Sequence, residues 1–329
     1  MRISALIIIN LLLIVANLYL GAVSIPADSV TSALFGTCRD ETIDFIIWQS
    51  RFPTAITALL AGSGLAASGL MLQTLFRNPL AGPSVLGITS GASLGVALVM
   101  LLFGGALQFG ELGIGGNVAV DAGALAGSLG VTLILLVLSG RVRNNLLLLI
   151  VGMMISYLAS SLVTLLSSLT TARGLKTYVN WGFGTFSNVA TDHLPGFTII
   201  VVLCLVASIL LAKPLNLLLL GDNYASNLGV NVKRVRTLLL TTTCLLSGII
   251  TAACGPIGFV GLATPHIARL MLRTDNHLLL IPVNFLTGSA LALACNLGSM
   301  LNPGNVIPIN ALTPIAGVPV VIYILLKKR

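Results

Sequence analysis

Catalysis needs ionisable or nucleophilic side chains brought together, and this chain is poor in them. Its three histidines, His193, His266 and His277, lie apart near the ends of apolar runs. No two of them sit four residues apart on a helix, where they could grip zinc. The five cysteines, Cys38, Cys204, Cys244, Cys254 and Cys295, show no CxxC or other metal spacing. Four lie in apolar runs, where a thiol behaves as a small hydrophobe, and no disulfide is expected. A GxxxxGKS/T phosphate loop is missing, so the chain does not bind ATP in that way. No catalytic residue, metal or cofactor is therefore expected. An integral-membrane enzyme is disfavoured because no His/Asp/Cys set converges. The remaining polar residues can turn the chain and dock partners.

The clearest turn is Arg77-Asn78-Pro79-Leu80-Ala81-Gly82-Pro83. Before it, Phe52 to Phe76 carries no charge; after it, none appears until Glu111. Two prolines without backbone donors force a break here. Each flank is long enough to cross a bilayer. The composition agrees: 56% of residues are hydrophobic and 8% charged, with a mean hydropathy of +1.05. A soluble domain carries about 25% charged residues. The formal charge of +8 is what orients a membrane protein; without stacking aromatics it does not point to nucleic acid.

Ten apolar segments are expected, at 3–23, 53–76, 84–105, 118–140, 146–170, 196–212, 236–254, 258–272, 278–300 and 306–326. The first reads as a retained span, because it exceeds a signal-peptide core and lacks a small-residue cleavage site. Thr237 to Ala268 holds no Asp, Glu, Lys or Arg. One helix over that run would be about 48 Å long, so it must break, and Gly255-Pro256 is the natural place. Asn302-Pro303-Gly304-Asn305 divides the last uncharged run. Ten spans put both termini on one side. That side collects all Lys and Arg except Arg39, Arg51, Arg173 and Lys176, so it is cytoplasmic. The location is the cell inner membrane, and the whole chain, 1–329, is one transmembrane domain.

Leu59-Leu60-Ala61-Gly62 and Ala66-Ala67-Ser68-Gly69 match Leu245-Leu246-Ser247-Gly248 and Ala252-Ala253-Cys254-Gly255, both 186 residues on. At the same offset Pro79 meets Pro265. The two copies would cross in opposite senses, as in an inverted repeat; small residues also recur simply to pack helices. Gly62, Ala66 and Gly69, and Gly87, Gly91 and Gly95, have that packing spacing, and Thr89, Ser90 and Ser93 line a polar path or bond between helices. The segment Lys213 to Arg236 mixes apolar and polar positions. Asp222 is expected to cap a short helix that Gly229 ends, giving a docking surface with Tyr224, Leu228 and Val230.

On these motifs the chain resembles the permease subunits of type II ABC importers for ferric siderophores, haem and vitamin B12. The likeness rests on Arg51-Phe52-Pro53, on Leu75 to Pro83 with Leu86-Gly87-Ile88, on Gly258 to Leu270, on Leu228 to Arg236 and on Gly317-Val318-Pro319. It implies an all-α, polytopic permease of about ten helices that pairs with a second permease subunit. Two cytoplasmic ATPase subunits and an extracytoplasmic substrate-binding protein complete the assembly. It also implies that residues 217–236 couple to the ATPase, through Asp222, Tyr224, Leu228, Gly229, Val230, Lys233 and Arg234. Asn78, Leu80 and, by a looser match, Asn145 would form a cytoplasmic gate. The pathway would follow the fifth span. Arg51 keeps one outer-face arginine that meets the binding protein in the B12 branch; the other positions fall on Thr54 and near Ser299. Docking would then also draw on Arg173 and Lys176. The resulting expectation is a non-enzymatic permease that imports an iron chelate by alternating access, with B12 or haem as alternative cargo. A secondary transporter is the competing class, and it would need a carboxylate or a broken helix at mid-membrane.

Overall fold

Proline and glycine decide where each helix starts and stops. The computed structural model describes residues 2–38, 40–102, 116–139, 145–301 and 307–327. Fifteen α-helices follow in order: α1 (Arg2–Tyr19), α2 (Ala27–Leu34), α3 (Glu41–Phe45), α4 (Phe52–Phe76), α5 (Ile88–Ala97), α6 (Gly116–Ser139), α7 (Asn145–Leu169), α8 (Ala172–Gly182), α9 (Leu194–Leu210), α10 (Ala212–Leu219), α11 (Asp222–Asn227), α12 (Val232–Cys254), α13 (Val260–Leu272), α14 (His277–Ser299) and α15 (Ile309–Lys327). Wider π-type turns at Ile46–Arg51 and Leu98–Leu102 lead into α4 and out of α5. The described residues contain no strand.

Each of the ten expected apolar segments holds one helix. Length and composition are a stricter test. Five helices are long and apolar enough to cross a membrane, or six if α9 and α10, bent by 48°, form one broken span. The bundle is therefore all-helical and rich in membrane-length helices. The break at Gly255-Pro256 is where expected, with α12 ending at Cys254. The Asn302–Asn305 break lies outside the described residues. All five cysteines are free.

α4 is the axis of the bundle. It is 25 residues long, apolar on every side and buried along almost all of its length. It packs on α14, α13, α12 and α9. Two of its glycines permit that closeness: a Cβ on Gly62 would overlap the Gly288 carbonyl of α14, and one on Gly69 would overlap the Gly261 carbonyl of α13. In lipid, helices gain little from apolar burial against each other, so backbone approach and buried hydrogen bonds carry the association.

Hydrogen bonds of that kind join α1 to α14. Ser289 Oγ donates to Asn10 Oδ1 at 2.6 Å, and Asn296 Nδ2 donates to Asn17 Oδ1 at 2.7 Å. Asn10 and Asn17 also donate to the carbonyls of Leu286 and Leu293, at 3.0 and 3.3 Å. Both pairs step by seven residues, so each polar rung recurs on the same side of its helix.

The repeat at offset 186 does not carry through to the element boundaries. Ala66 to Gly69 lies inside α4, whereas Ala252 to Gly255 ends α12. Pro79 lies in a turn, whereas Pro265 lies inside α13. Small residues recur in both stretches because each serves close packing in its own place.

Candidate coupling site

Helix α4 ends in an unusual way. The N–H of Arg77 bonds to the Thr74 carbonyl and that of Asn78 to the Gln73 carbonyl, a left-handed cap normally built on glycine. Here the left-handed residue is Arg77, with φ 47°. A side chain in that conformation costs on the order of 1 kcal/mol, so something must offset it. The guanidinium supplies the compensation: it donates to the Leu218 carbonyl of α10 at 3.1 Å and to Asp222 Oδ1 at 2.9 Å. The other Asp222 oxygen accepts from Arg236 of α12 at 3.2 Å. One carboxylate thus joins the turn after α4 to both ends of the segment between α10 and α12.

The rest of the turn is equally tied. Asn78 Oδ1 accepts from the Leu80 N–H at 2.9 Å, forming a side-chain turn that leaves Leu80 exposed. His266 Nε2 lies 3.0 Å from the Pro79 carbonyl. Behind it, Gly87 (φ 80°) abuts the Gly152 carbonyl of α7, so the turn rests directly on α7. Asn145 is the first residue of α7, and its side chain lies outside the described residues. Deeper in, Thr74 and Asn216 hold the two ring nitrogens of His277, each at 2.8 Å. Gln73 bonds to Arg269 at 2.8 Å, and Arg269 pairs with Asp275 at 3.3 Å. His266 and His277 are therefore fastenings between helices.

The coupling segment departs from expectation at two residues. Asp222 is not the cap of α11; Gly221 occupies that position, and Asp222 follows it with both oxygens in ion pairs. Val230 is half-buried against the core. Gly229, at φ 84°, ends α11 as expected, with the Val230 N–H returning to the Ala225 carbonyl at 3.0 Å. Tyr224, Leu228, Lys233 and Arg234 are exposed and form an outward face.

At the opposite end of the bundle the expected docking set divides. Arg173 and Lys176 are exposed on α8. Arg51 is buried at 6% exposure and donates to the carbonyls of Leu18, Tyr19 and Val23 at 2.6–2.8 Å. It caps the end of α1 and cannot also meet a partner's carboxylate, so it leaves the docking set. The same end holds a residue that sequence reasoning passed over. Asp121 is half-buried on α6 and lines a cavity with His193 and Trp181. A carboxylate inside the apolar run 118–140 was the available signal.

Comparison with known proteins decides the family. The FecCD transport family matches residues 7–327. This chain belongs to the FecCD transport family. Family members that resemble it include the vitamin B12 import system permease protein BtuC of Photorhabdus laumondii, 35% identical over 295 residues, 88% of this chain and 84% of that one. BtuC of Escherichia coli is 34% identical over 287 residues, covering 87% and 85%. A solved inward-facing metal-chelate type ABC transporter has a TM-score of 0.85 at 30% identity, covering 99% of this chain and 98% of that one. PsaBC from Streptococcus pneumoniae, at TM-score 0.56 and 15% identity over 90% and 95% of the two chains, shares the fold alone. As a FecCD protein, the chain is a membrane transport component of the ABC importer class.

Proposed function

We propose that this FecCD protein is the membrane-spanning subunit of an ATP-driven importer for a bulky metal chelate, with a ferric siderophore as cargo. The reading rests chiefly on the Arg77–Asp222–Arg236 junction, which binds a turn at the pathway to a segment facing outward from the bundle. An exposed face of Tyr224, Leu228, Lys233 and Arg234 suits an ATPase subunit below the membrane. Closure of two such subunits would push on α11, and Asp222 would pass the displacement to Arg77, Asn78 and Leu80. Asn145, at the start of α7, would complete the gate. Ten spans with both termini in the cytoplasm, a second permease subunit, and a binding protein docked through Arg173 and Lys176 complete the assembly. The chain carries out no covalent step; ATP is hydrolysed on the partner.

Vitamin B12 is the second reading for the cargo, supported by the names of the BtuC relatives. The likeness to the solved metal-chelate type ABC transporter supports the chelate reading. The experiment is reconstitution in proteoliposomes with the cognate ATPase and binding protein. Labelled ferric chelate should accumulate only with ATP inside and binding protein outside. Accumulation of cobalamin alone would select the second reading. Uptake that follows an ion gradient without ATP would overturn both.

A further inference from the structure

The end of the bundle remote from the coupling site contains a cavity of about 450 Å³, walled by α6, α8, α9 and α12. That is the size of a site for a small organic molecule. Its lining comes from this one chain. Its walls are mostly apolar, with Asn180 and Asn188 among the polar groups.

Two features of its lining point to a ligand. Asp121 lines it; among the described residues its carboxylate makes no hydrogen bond or close ion pair, and the charge it feels is that of His193 across the cavity. A charge held in an apolar stretch is costly unless a counter-charge arrives, and such residues mark functional sites in membrane proteins. His193 is the other ionisable group lining the cavity. Trp181, only 8% exposed, lines the same space. Tyr178 packs on that indole, with ring centroids 5.9 Å apart. A carboxylate beside a desolvated tryptophan is the pairing that holds ammonium and guanidinium groups. A bare metal ion suits the site less well: hard cations gather six or more oxygens, and no cluster of three His, Cys, Asp or Glu exists among the described residues.

We propose that this cavity binds a small organic cation of the alkylammonium or guanidinium class, with Asp121 as counter-charge and Trp181 as aromatic wall. Binding at the site needs neither ATP nor transport, so its test is independent of the transport assay. The chain has two tryptophans, Trp48 and Trp181. In full-length purified protein carrying Trp48→Phe, Trp181 is the sole indole reporter. Cyclohexylmethylammonium should change its emission saturably, whereas neutral cyclohexylmethanol should not. Asp121→Asn should raise the Kd for the amine about tenfold or more, and Asp121→Glu should stay within about threefold. Equal responses to amine and alcohol, no saturable response to the amine, or an unchanged Kd in Asp121→Asn overturns the proposal. If Asp121→Asn does not fold, the amine–alcohol comparison in the parent and in Asp121→Glu decides.

Discussion

Replacing Asp222 with asparagine removes charge from both arms of the coupling junction while keeping the side chain's shape. The Arg77 arm joins two side chains that are 45% and 41% exposed, so it contributes about 0.2–1 kcal/mol. The Arg236 arm is better shielded on the arginine side, at 13% exposure, and contributes about 1 kcal/mol after discounting the exposed carboxylate. Together they amount to roughly 1–2 kcal/mol, a factor of about 5–30 in an equilibrium. That is small beside the packing of α10 and α12, so the melting temperature should fall by only a few degrees. It matches the coupling free energy between two sites, typically about 1–3 kcal/mol. Asp222→Asn should therefore leave a folded permease that still binds the ATPase. In proteoliposomes, ATP hydrolysed per chelate imported should rise about 5-fold or more. A cycle with Arg77→Gln isolates the pair: the two changes should fall short of additive by about 0.5–1 kcal/mol. Wild-type stoichiometry in Asp222→Asn would falsify the idea that this carboxylate carries the displacement.

Four other outcomes follow from the geometry. Gly69→Leu should prevent assembly, because even a Cβ overlaps the Gly261 carbonyl; normal yield and monodispersity on gel filtration would refute the packing argument. Arg51→Ala should cost about 2–4 kcal/mol, read as a drop in thermal midpoint, because three carbonyls lose a charged donor; a purely docking residue would leave the midpoint unchanged. Arg173→Glu with Lys176→Glu should weaken binding-protein capture at least about tenfold in low salt, with stability unchanged within about 0.5 kcal/mol; surface plasmon resonance across ionic strengths measures it. Asn78→Ala should free the Leu80 N–H and loosen the turn after α4, seen as faster hydrogen exchange at residues 78–82.

Much of the architecture was legible because the solvent is hydrocarbon. Long uncharged runs have to be helices, and the prolines and glycines between them mark the breaks, so each apolar segment holds a helix, although only five or six of those described are long enough to span. What periodicity could not reveal is tertiary. Arg51 and Arg173 look alike in sequence, and only the fold shows that carbonyls at the end of α1 consume the first. Asp222 has the residue type of a helix cap, yet two arginines distant in sequence recruit it for a bridge. Only the fold brings Asp121 to a cavity shared with residues of α8, α9 and α12. Small-residue spacing in both stretches of the repeat records close approach, whichever partner the glycine meets.

The rungs between α1 and α14 have a temporal consequence. Ribosomal synthesis delivers Asn10 and Asn17 to the bilayer long before Ser289 and Asn296 exist. During that wait each amide N–H is held only within its own helix, by the Leu6 and Leu13 carbonyls at 2.9 and 2.8 Å, and the two amide oxygens have no donor from α14. Chains truncated before α14 would keep those two oxygens open permanently, giving membrane proteases a chemical flag for unfinished protein.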